Sequence, residues 1–324
     1  MNSPSGTHPI DVEKVALLRE LAERGSVTAV AAATYRTPSA VSQQIKSLER
    51  EMGAPLVVRQ GRGVGLTDAG RVLAEGAVEI AEVLERARAR FDEFRGSAVG
   101  EVSVCAFPSA AELLLPALAT RLAKTDPAIT LRLRDLDLAE DEFAAITADH
   151  DLVIAHSVER VPDAGFLGLS VTPLLREPLD VVVPPDHRLA GRGRVEPAEL
   201  ADEKWIGVPD GFPFDAVLRG LADGGSPIEV VQRFADNHVV AAFVAAGQGI
   251  ALLPRGSASV ATARGLVALE LGGVRAGREV YALARPDRAA RAAVARVLAS
   301  LGEVAAELEA SVPAPTALDA DAPS

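Results

Sequence analysis

The stretch "TPSAVSQQIKSLEREMG", residues 37–53, decides the fold of the first part of the chain. Thr37 supplies a helix N-cap, and Pro38 suits the first helical position because its missing N–H has no intrahelical partner there. Apolar residues then recur at intervals of four, three and four, at Val41, Ile45, Leu48 and Met52. This spacing predicts an amphipathic helix that begins at Pro38, ends at Gly53 and packs its apolar face inward.

The opposite face of this helix is polar, and the segments around it predict a winged helix-turn-helix. The outward residues are Ser39, Ser42, Gln43 and Lys46. Two short helical patterns precede the helix, at residues 12–23 and 27–34. After Gly53 the sequence "APLVVRQGRGVGLT" reads as two short strands with a basic, glycine-rich tip at residues 60–63.

Charge is distributed unevenly along the chain, whose formal net charge is −12. Residues 1–96 hold 13 basic and 13 acidic side chains, which leaves 20 basic and 32 acidic side chains in residues 97–324. Within residues 36–71 there are six basic and three acidic side chains. This locally positive segment permits a polyanionic partner despite the acidic body.

A long helix is predicted from Thr67 to about Arg95, because no proline interrupts the pattern there. Its apolar residues alternate steps of four and three over about three heptads, the a/d spacing of a coiled coil. The stripe comprises Leu73, Ala77, Ile80, Leu84, Ala87 and Phe91. We expect it to mediate self-association; the alternative is packing on the chain's own body.

Beyond residue 96 the pattern changes to strands that alternate with helices, which predicts an α/β fold with a parallel sheet. A first β-α-β-α-β set is followed by a second set and a closing strand and helix. The expected architecture is an α/β domain at residues 97–310, two-lobed like a periplasmic binding protein. It follows an all-α winged helix-turn-helix domain at residues 8–66 and a linker helix at residues 67–96.

The expected boundaries within the α/β domain follow the same pattern. Lobe I takes residues 97–171 and 276–310, and lobe II takes residues 172–275. The tail at residues 311–324 is rich in Pro, Ala and Asp, a composition that predicts disorder.

Residues 25–70, "GSVTAVAAATYRTPSAVSQQIKSLEREMGAPLVVRQGRGVGLTDAG", resemble the amino-terminal signature of the LysR-type transcriptional regulators. The matching pieces are Gly25-Ser26, Ala31, "SAVSQQI", Leu48-Glu49, Gly53 to Leu56, Arg59, Gly61-Arg62 and Leu66 to Gly70. The stretches "LLLPALATRLAKTDP", "DHDLVIAH", "PLLREPLDVVVPPDHRLAG" and "AAGQGIALLPR" follow in the order of that family's effector domain. Thr34, Arg36 and Val57 depart from the family pattern. These departures affect the local apolar core and do not change the polar face of the helix that begins at Pro38.

The resemblance implies a sequence-specific regulator that binds double-stranded DNA at an inverted repeat as dimers that associate into tetramers. The residues expected to contact DNA are Thr37, Pro38, Ser39, Ser42, Gln43, Lys46, Arg59 and Arg62. A helix of this size fits the major groove, where the Gln43 amide can both donate to and accept from adenine. Lys46 and Ser42 suit phosphates, and Arg62 suits a minor groove or the DNA backbone.

A small-molecule effector is expected in the cleft between the lobes, where helix N-termini present free N–H groups that suit anionic ligands. The candidate residues are Phe107, Ser109, His156, Phe214, Asn237 and His238. Ser109 and Asn237 have an alternative role as helix N-caps, and His238 as a packed ring. Both roles can coexist.

Several function classes find no support in the sequence. The single cysteine, Cys105, permits no intramolecular disulfide, and a mid-strand thiol without a resolving partner favours an inert role over redox sensing. The amino terminus does not read as a signal peptide, and the longest apolar run is shorter than the ~20 residues of a membrane span. No cofactor, metal or catalytic motif is found, so we expect a cytoplasmic protein that is not an enzyme. The alternative is a cytoplasmic small-molecule binding protein or enzyme whose first 96 residues serve only assembly.

Overall fold

The computed structural model describes residues 10–61, 63–94, 98–138, 140–158, 160–163, 168–210, 212–222 and 228–311. The first part is a helical unit with a small wing. Its elements are α1 (Val12–Arg24), α2 (Val27–Ala33), α3 (Pro38–Met52), β1 (Val57–Gln60), β2 (Gly63–Leu66) and α4 (Asp68–Phe94). The predicted winged helix-turn-helix and long helix are therefore present. The predicted tail beyond Ser311 lies outside the described residues.

The apolar face of α3 packs inward against α1, as its spacing predicts. Val41, Ile45 and Leu48 are buried in one cluster with the apolar side chains of α1 and α2. Met52 was expected on the same buried face, but it is 40% exposed. The reason is its position, since it is the last residue of α3 and Gly53 turns the chain away immediately after it.

Two contacts fix the wing to α3 and α4. The carboxylate of Glu49 accepts hydrogen bonds from the backbone N–H groups of Leu56 (2.9 Å) and Val57 (3.3 Å). At the start of α4, Gly70 lies so close to the carbonyl oxygen of Leu56 that an added Cβ would be 2.0 Å from it. Glycine is therefore required there, and the wing strand is held to both helices.

The turn between α2 and α3 has the hydrogen bonds of a Schellman motif. The N–H of Tyr35 donates to the carbonyl of Ala32 (3.4 Å), and the N–H of Arg36 donates to that of Ala31 (2.9 Å). Tyr35 has a φ of +53°, in the left-handed region that glycine usually fills in this motif. For a side chain with a Cβ, that conformation costs about 1 kcal/mol or more.

Helix α4 divides its apolar stripe between two environments. Leu73 and Ala77 pack into the core of the winged helix domain, so they are not free to meet a partner helix. Further along, Leu84 and Phe91 are exposed, and Phe94 is 87% exposed. The carboxyl-terminal half of α4 therefore presents apolar side chains that no described part of the chain covers.

The α/β part begins with β3 (Gly100–Ala106), α5 (Pro108–Thr125), β4 (Ile129–Asp135) and β5 (Leu152–Ser157). These strands are parallel in the order β4-β3-β5. The helix predicted between β4 and β5 is wrong, because the chain forms two 3-10 turns at Glu140–Glu142 and Ala145–Ala148. This short segment also has to bury Phe143 beside the ring of His156.

One strand, β6 (Ser170–Val183), joins two parts of the sheet. Its first half pairs with β12 (Gly277–Ala284), which pairs in turn with β5. Its second half pairs with β10 (Ala251–Pro254) and β11 (Val267–Leu271). Because β6 continues through both halves, the two lobes share a backbone connection instead of a flexible linker.

The second lobe is completed by elements packed around these strands. They are β7 (Arg194–Val195), a 3-10 turn (Pro197–Leu200), β8 (Lys204–Gly207), α6 (Pro213–Ala222), β9 (Glu229–Arg233), α7 (Asn237–Ala245) and α8 (Arg255–Ala263). The single closing helix that was predicted is instead α9 (Pro286–Ala289) followed by α10 (Ala292–Ser311). Asp151 accepts hydrogen bonds from Arg288 (2.8 Å) and Arg291 (2.7 Å), the two arginines around that break.

A charged network joins α1 to the α/β domain of the same chain. The buried guanidinium of Arg285 donates to the carboxylates of Glu20 (2.9 Å) and Glu23 (2.8 Å). Arg19 donates to Asp287 at 3.1 Å, and Arg24 donates to the carbonyl of Ala148 at 3.0 Å. These contacts fix the position of the winged helix domain relative to the effector domain.

The network makes stability depend on pH through Glu23. Burial, followed by the carboxylate of Glu20, raises the pKa of Glu23 from 4.5 to about 7, against the opposing charges of Arg19 and Arg24. Between these values the folded chain holds a proton that the unfolded chain has released. Stability from this group is therefore fully present below pH 4.5 and is lost as the pH rises towards 7.

We predict that Glu23→Gln removes this part of the pH dependence, since glutamine does not titrate. Chemical unfolding at several pH values between about 5 and 8 measures the effect. Glu13→Gln is the matched control, because Glu13 lies on the same helix but is largely exposed. A Glu23→Gln protein that retains the wild-type pH slope would contradict the prediction.

Candidate functional site

The outward face of α3 forms one polar surface. Thr37, Pro38, Ser39, Gln43 and Lys46 are exposed, while Ser42 is half-buried. The Thr37 hydroxyl is already engaged, because it accepts the N–H of Ala40 at 3.2 Å as the N-cap and lies 3.1 Å from the Ser39 hydroxyl. The side chains of Gln43 and Lys46 make no such contact with the described residues, so they are available to an external partner.

The wing carries the other residues predicted to contact DNA. Arg59 is exposed on β1, opposite Val64 of β2. Gly61 takes a φ of +57° at the tip, which is the left-handed conformation that favours glycine. The predicted contact residue Arg62 lies outside the described residues.

The six residues predicted for the effector site line one cavity of about 440 Å³ between the two lobes. Phe107 and Ser109 lie at the β3–α5 junction, and His156 lies on β5. Phe214 on α6, with Asn237 and His238 on α7, closes the opposite side. A cavity of this size suits a small organic molecule.

A buried ion pair lies at the cavity, where Arg278 is one of the lining residues. The guanidinium of Arg278 donates from Nε and Nη2 to the same oxygen of Glu177, at 2.8 and 2.5 Å. Nη2 also donates to the Ser109 hydroxyl at 2.8 Å, and the guanidinium carbon lies 4.4 Å from the centre of the Phe107 ring. The charge of Arg278 is thus balanced by Glu177 within the protein.

His156 is an uncharged part of the wall. Its ring packs edge-on against Phe107 and Phe143, with centroid distances of 4.6 and 5.3 Å. Burial, followed by the charge of Arg278, lowers the pKa of His156 to about 3. Its Nδ1 is buried without a hydrogen-bond partner among the described residues. At neutral pH the ring is therefore neutral and offers one unused nitrogen.

The rim of the cavity is acidic. Glu112, Asp137 and Asp236 all line it. Burial, followed by the carboxylate of Asp236, raises the pKa of Asp137. The Glu112 carboxylate lies 3.8 Å from Nε2 of His238. The rim therefore carries more negative than positive charge.

The alternative N-cap roles of Ser109 and Asn237 do not match the caps that the structure has. Helix α5 has Phe107 at its N-cap position with no side-chain hydrogen bond, so its first turn stays open. Helix α7 is capped by Asp236, whose carboxylate accepts the N–H of His238 at 2.7 Å. The amide of Asn237 instead donates to the Ser257 hydroxyl at 3.1 Å.

Sequence reasoning missed the ion pair and the acidic rim. Arg278 and Glu177 lie 101 positions apart and meet only because β12 pairs with β6. Glu177 left only a weak local signal, since β6 also carries Arg176 and Asp180. Asp137 lies in a polar stretch, and Glu112 lies in the first turns of α5, where an acidic side chain is common, so neither residue stood out.

Other candidate chemistry finds little support in the described residues. Cys105 is buried, and burial raises the pKa of its thiol, which disfavours the reactive thiolate. No cluster of three or more His, Cys, Asp or Glu side chains suited to a metal ion occurs in the described ranges. No helix in that part of the chain is long and apolar enough to span a membrane.

Comparison with protein families gives two matches that together span nearly the whole chain. Residues 12–71 match the bacterial regulatory helix-turn-helix protein model of the lysR family, and residues 95–306 match the LysR substrate binding domain. The chain belongs to the LysR family. It is therefore a DNA-binding transcriptional regulator with an effector-binding domain, which excludes the alternative interpretation as an enzyme.

Two individual regulators and one solved structure are also similar to the chain. A helix-turn-helix transcriptional regulator of Mycobacterium tuberculosis is 32% identical over 250 residues, which cover 72% of this chain and 77% of the relative. The transcriptional dual regulator GltC of Bacillus subtilis is 26% identical over 261 residues, covering 79% and 84%. A full-length OxyR mutant from Pseudomonas aeruginosa has a similar fold, with a TM-score of 0.64, 20% identity, and coverage of 92% and 95%.

In this LysR regulator the buried ion pair should act as a unit. We predict that Arg278→Met destabilises the protein by roughly 3 kcal/mol, because it leaves Glu177 buried without its cation. Combining it with Glu177→Gln should cost less than the sum of the two single changes. Denaturant unfolding of the four proteins in this double-mutant cycle measures the coupling.

The matched control for this cycle is Arg275→Met. Arg275 is exposed and pairs with Glu279 at 3.4 Å, so its loss should change stability by less than about 0.5 kcal/mol. Additive effects of Arg278→Met and Glu177→Gln would show that the pair is not coupled.

Proposed function

We propose that α3 reads an inverted-repeat operator from the major groove, with one recognition helix for each half-site. The observation that carries the proposal is the continuous exposed face of α3, where Gln43 and Lys46 have no partner within the described chain. Gln43 reads a base edge, and adenine is the match for its amide. Lys46 and Ser42 hold phosphates, with Arg59 and Arg62 of the wing as further backbone or minor-groove contacts.

Two copies of the chain assemble through α4. The exposed half of the stripe supports this role, since Leu84 and Phe91 are uncovered and Ile80 and Ala87 continue the same spacing. Leu73 and Ala77 serve the domain core, so the partner helix meets a shorter seam than the sequence suggested. Dimers then pair into tetramers in the cytoplasm. In this proposal residues 8–66 bind DNA, residues 67–96 assemble the protomers and residues 97–310 bind the effector.

The effector in this proposal is a small molecule that carries both an anionic and an amino group. The open first turn of α5, with the Ser109 hydroxyl beside Arg278, favours a carboxylate or similar anion. The acidic rim formed by Glu112 and Asp137 favours a cation and disfavours a ligand with only negative groups. The anionic ligand expected from the sequence is thereby extended to an amphoteric one.

Occupation of the cavity is coupled to DNA binding through the lobes that enclose it. Glu177 lies on β6, the strand that both lobes share, and Arg278 on β12 pairs with it and contacts Ser109 at the cavity. Arg285, directly after β12, anchors α1 of the DNA-binding domain. A ligand that changes the angle between the lobes can therefore change where the recognition helices lie.

Two substitutions separate base reading from phosphate binding. Gln43→Ala should reduce the preference for the operator over random duplex by roughly tenfold, since one bidentate base contact contributes about 1–3 kcal/mol. Lys46→Ala should weaken binding to all duplexes and reduce the salt dependence by about one counterion. Titrations of selected and random duplexes at several salt concentrations measure both, and unchanged binding in both variants would remove α3 as the recognition helix.

Substitutions in the cleft test the effector site. Ser109→Val should abolish the thermal shift given by amphoteric ligands, and Glu112→Gln should weaken it while leaving the response to the corresponding amine-free acids unchanged. Glu229→Gln, an exposed change on β9, is the matched control. A panel of amino acids and of the same acids without the amino group supplies the ligands. A wild-type shift in Ser109→Val would move the site elsewhere, and equal responses to both ligand sets would refute the amphoteric class.

A further inference from the structure

Tyr35 is the only residue other than glycine with a positive φ in the described ranges of the chain. It occupies the left-handed position of the turn between α2 and α3, where the Schellman hydrogen bonds demand that conformation. Glycine or asparagine would satisfy the same turn with less strain. The turn itself therefore does not explain why the residue is a tyrosine.

The ring of Tyr35 also gains nothing from its described neighbours. Its residue surface is 99% exposed, so no packing against that part of the chain offsets the backbone strain. A fully exposed aromatic ring in a strained backbone position is unusual, and such positions cluster where a ligand is bound. These two observations point to a contact with an external partner.

The position of Tyr35 identifies that partner. It lies two residues before Thr37, the N-cap of α3, and so borders the exposed polar face of that helix. When the start of a recognition helix enters the major groove, the preceding turn lies at the edge of the groove, against the sugar-phosphate backbone. Arg36, the next residue, is paired with Glu13 and is less available to a phosphate.

We propose that Tyr35 is a DNA-contacting residue whose phenolic hydroxyl donates a hydrogen bond to a phosphate oxygen at the groove edge; the proposal rests on the DNA-binding role of α3. Tyrosine hydroxyls are common donors to DNA phosphates, and a phosphate contact fixes register without reading sequence. The side chain is neutral, so it displaces no counterion. Tyr35 thus strengthens binding to every duplex equally and leaves the salt dependence unchanged.

Two substitutions of Tyr35 test the contact in the full-length protein. Tyr35→Phe keeps the ring and the strain but removes the donor. Tyr35→Asn removes the ring and tolerates the left-handed conformation better. Both should weaken binding to operator and random duplexes alike, by about tenfold or more, because a hydrogen bond to a charged group is lost.

The stability and salt readouts distinguish this role from a structural one. The melting temperature of Tyr35→Phe should equal that of the wild type, and that of Tyr35→Asn should be equal or higher because strain is relieved. Lys46→Ala is the comparison variant, since it also weakens binding but flattens the salt dependence. Both Tyr35 variants should keep the wild-type salt slope.

Binding by Tyr35→Phe within about twofold of the wild type would overturn the hydroxyl contact. A loss confined to the operator duplex would also overturn it, since a phosphate contact cannot discriminate sequences. A lower melting temperature in Tyr35→Asn, matched by its loss of binding, would assign Tyr35 a structural role and refute the proposal. Failure of the wild-type protein to bind any duplex would instead contradict the function of α3, so the two failures are distinguishable.

Discussion

The burial of one face of α3 is the constraint on which the DNA-binding surface depends. Val41, Ile45 and Leu48 leave water by packing against α1 and α2, and this fixes the rotation of the helix about its axis. The direction in which the polar face of α3 points is thereby also fixed. Glu49 reinforces the arrangement by accepting hydrogen bonds from the backbone at the start of the wing, which fixes the wing relative to α3.

The sequence predicts best those features that arise from local periodicity. The buried face of α3, the Thr37 cap and the length of α4 all follow from spacing within a few turns. Met52 escapes the pattern because periodicity assigns it to the apolar face but does not show that the last residue of the helix has too few neighbours to bury it. The segment between β4 and β5 and the break before α10 were predicted wrongly, since both depend on distant partners: the ring of His156 for Phe143, and the carboxylate of Asp151 for Arg288 and Arg291.

The cleft shows the same limit at the level of chemistry. The alternating pattern predicts where strands end and helices begin, and the six candidate residues chosen at those ends line one cavity. The charge inside the cavity could not be placed, because Arg278 meets Glu177 only through the pairing of β12 with β6. A sequence reveals that a buried carboxylate needs a cation, but the register of the sheet decides which cation it receives.

Helix α4 carries residues of the domain core near one end and uncovered apolar residues near the other. As a continuous helix of 27 residues, it is about 40 Å long and fixes the angle between these two faces. Inserting one residue between Ala77 and Leu84 would rotate the uncovered face by about 100° against the wing. Removing about seven residues would nearly preserve that angle while shortening the spacer by about 10 Å. The length of this helix can therefore change without a large rotation only in steps close to whole turns, such as about seven or about eleven residues, so α4 sets both the orientation and the distance between its two faces.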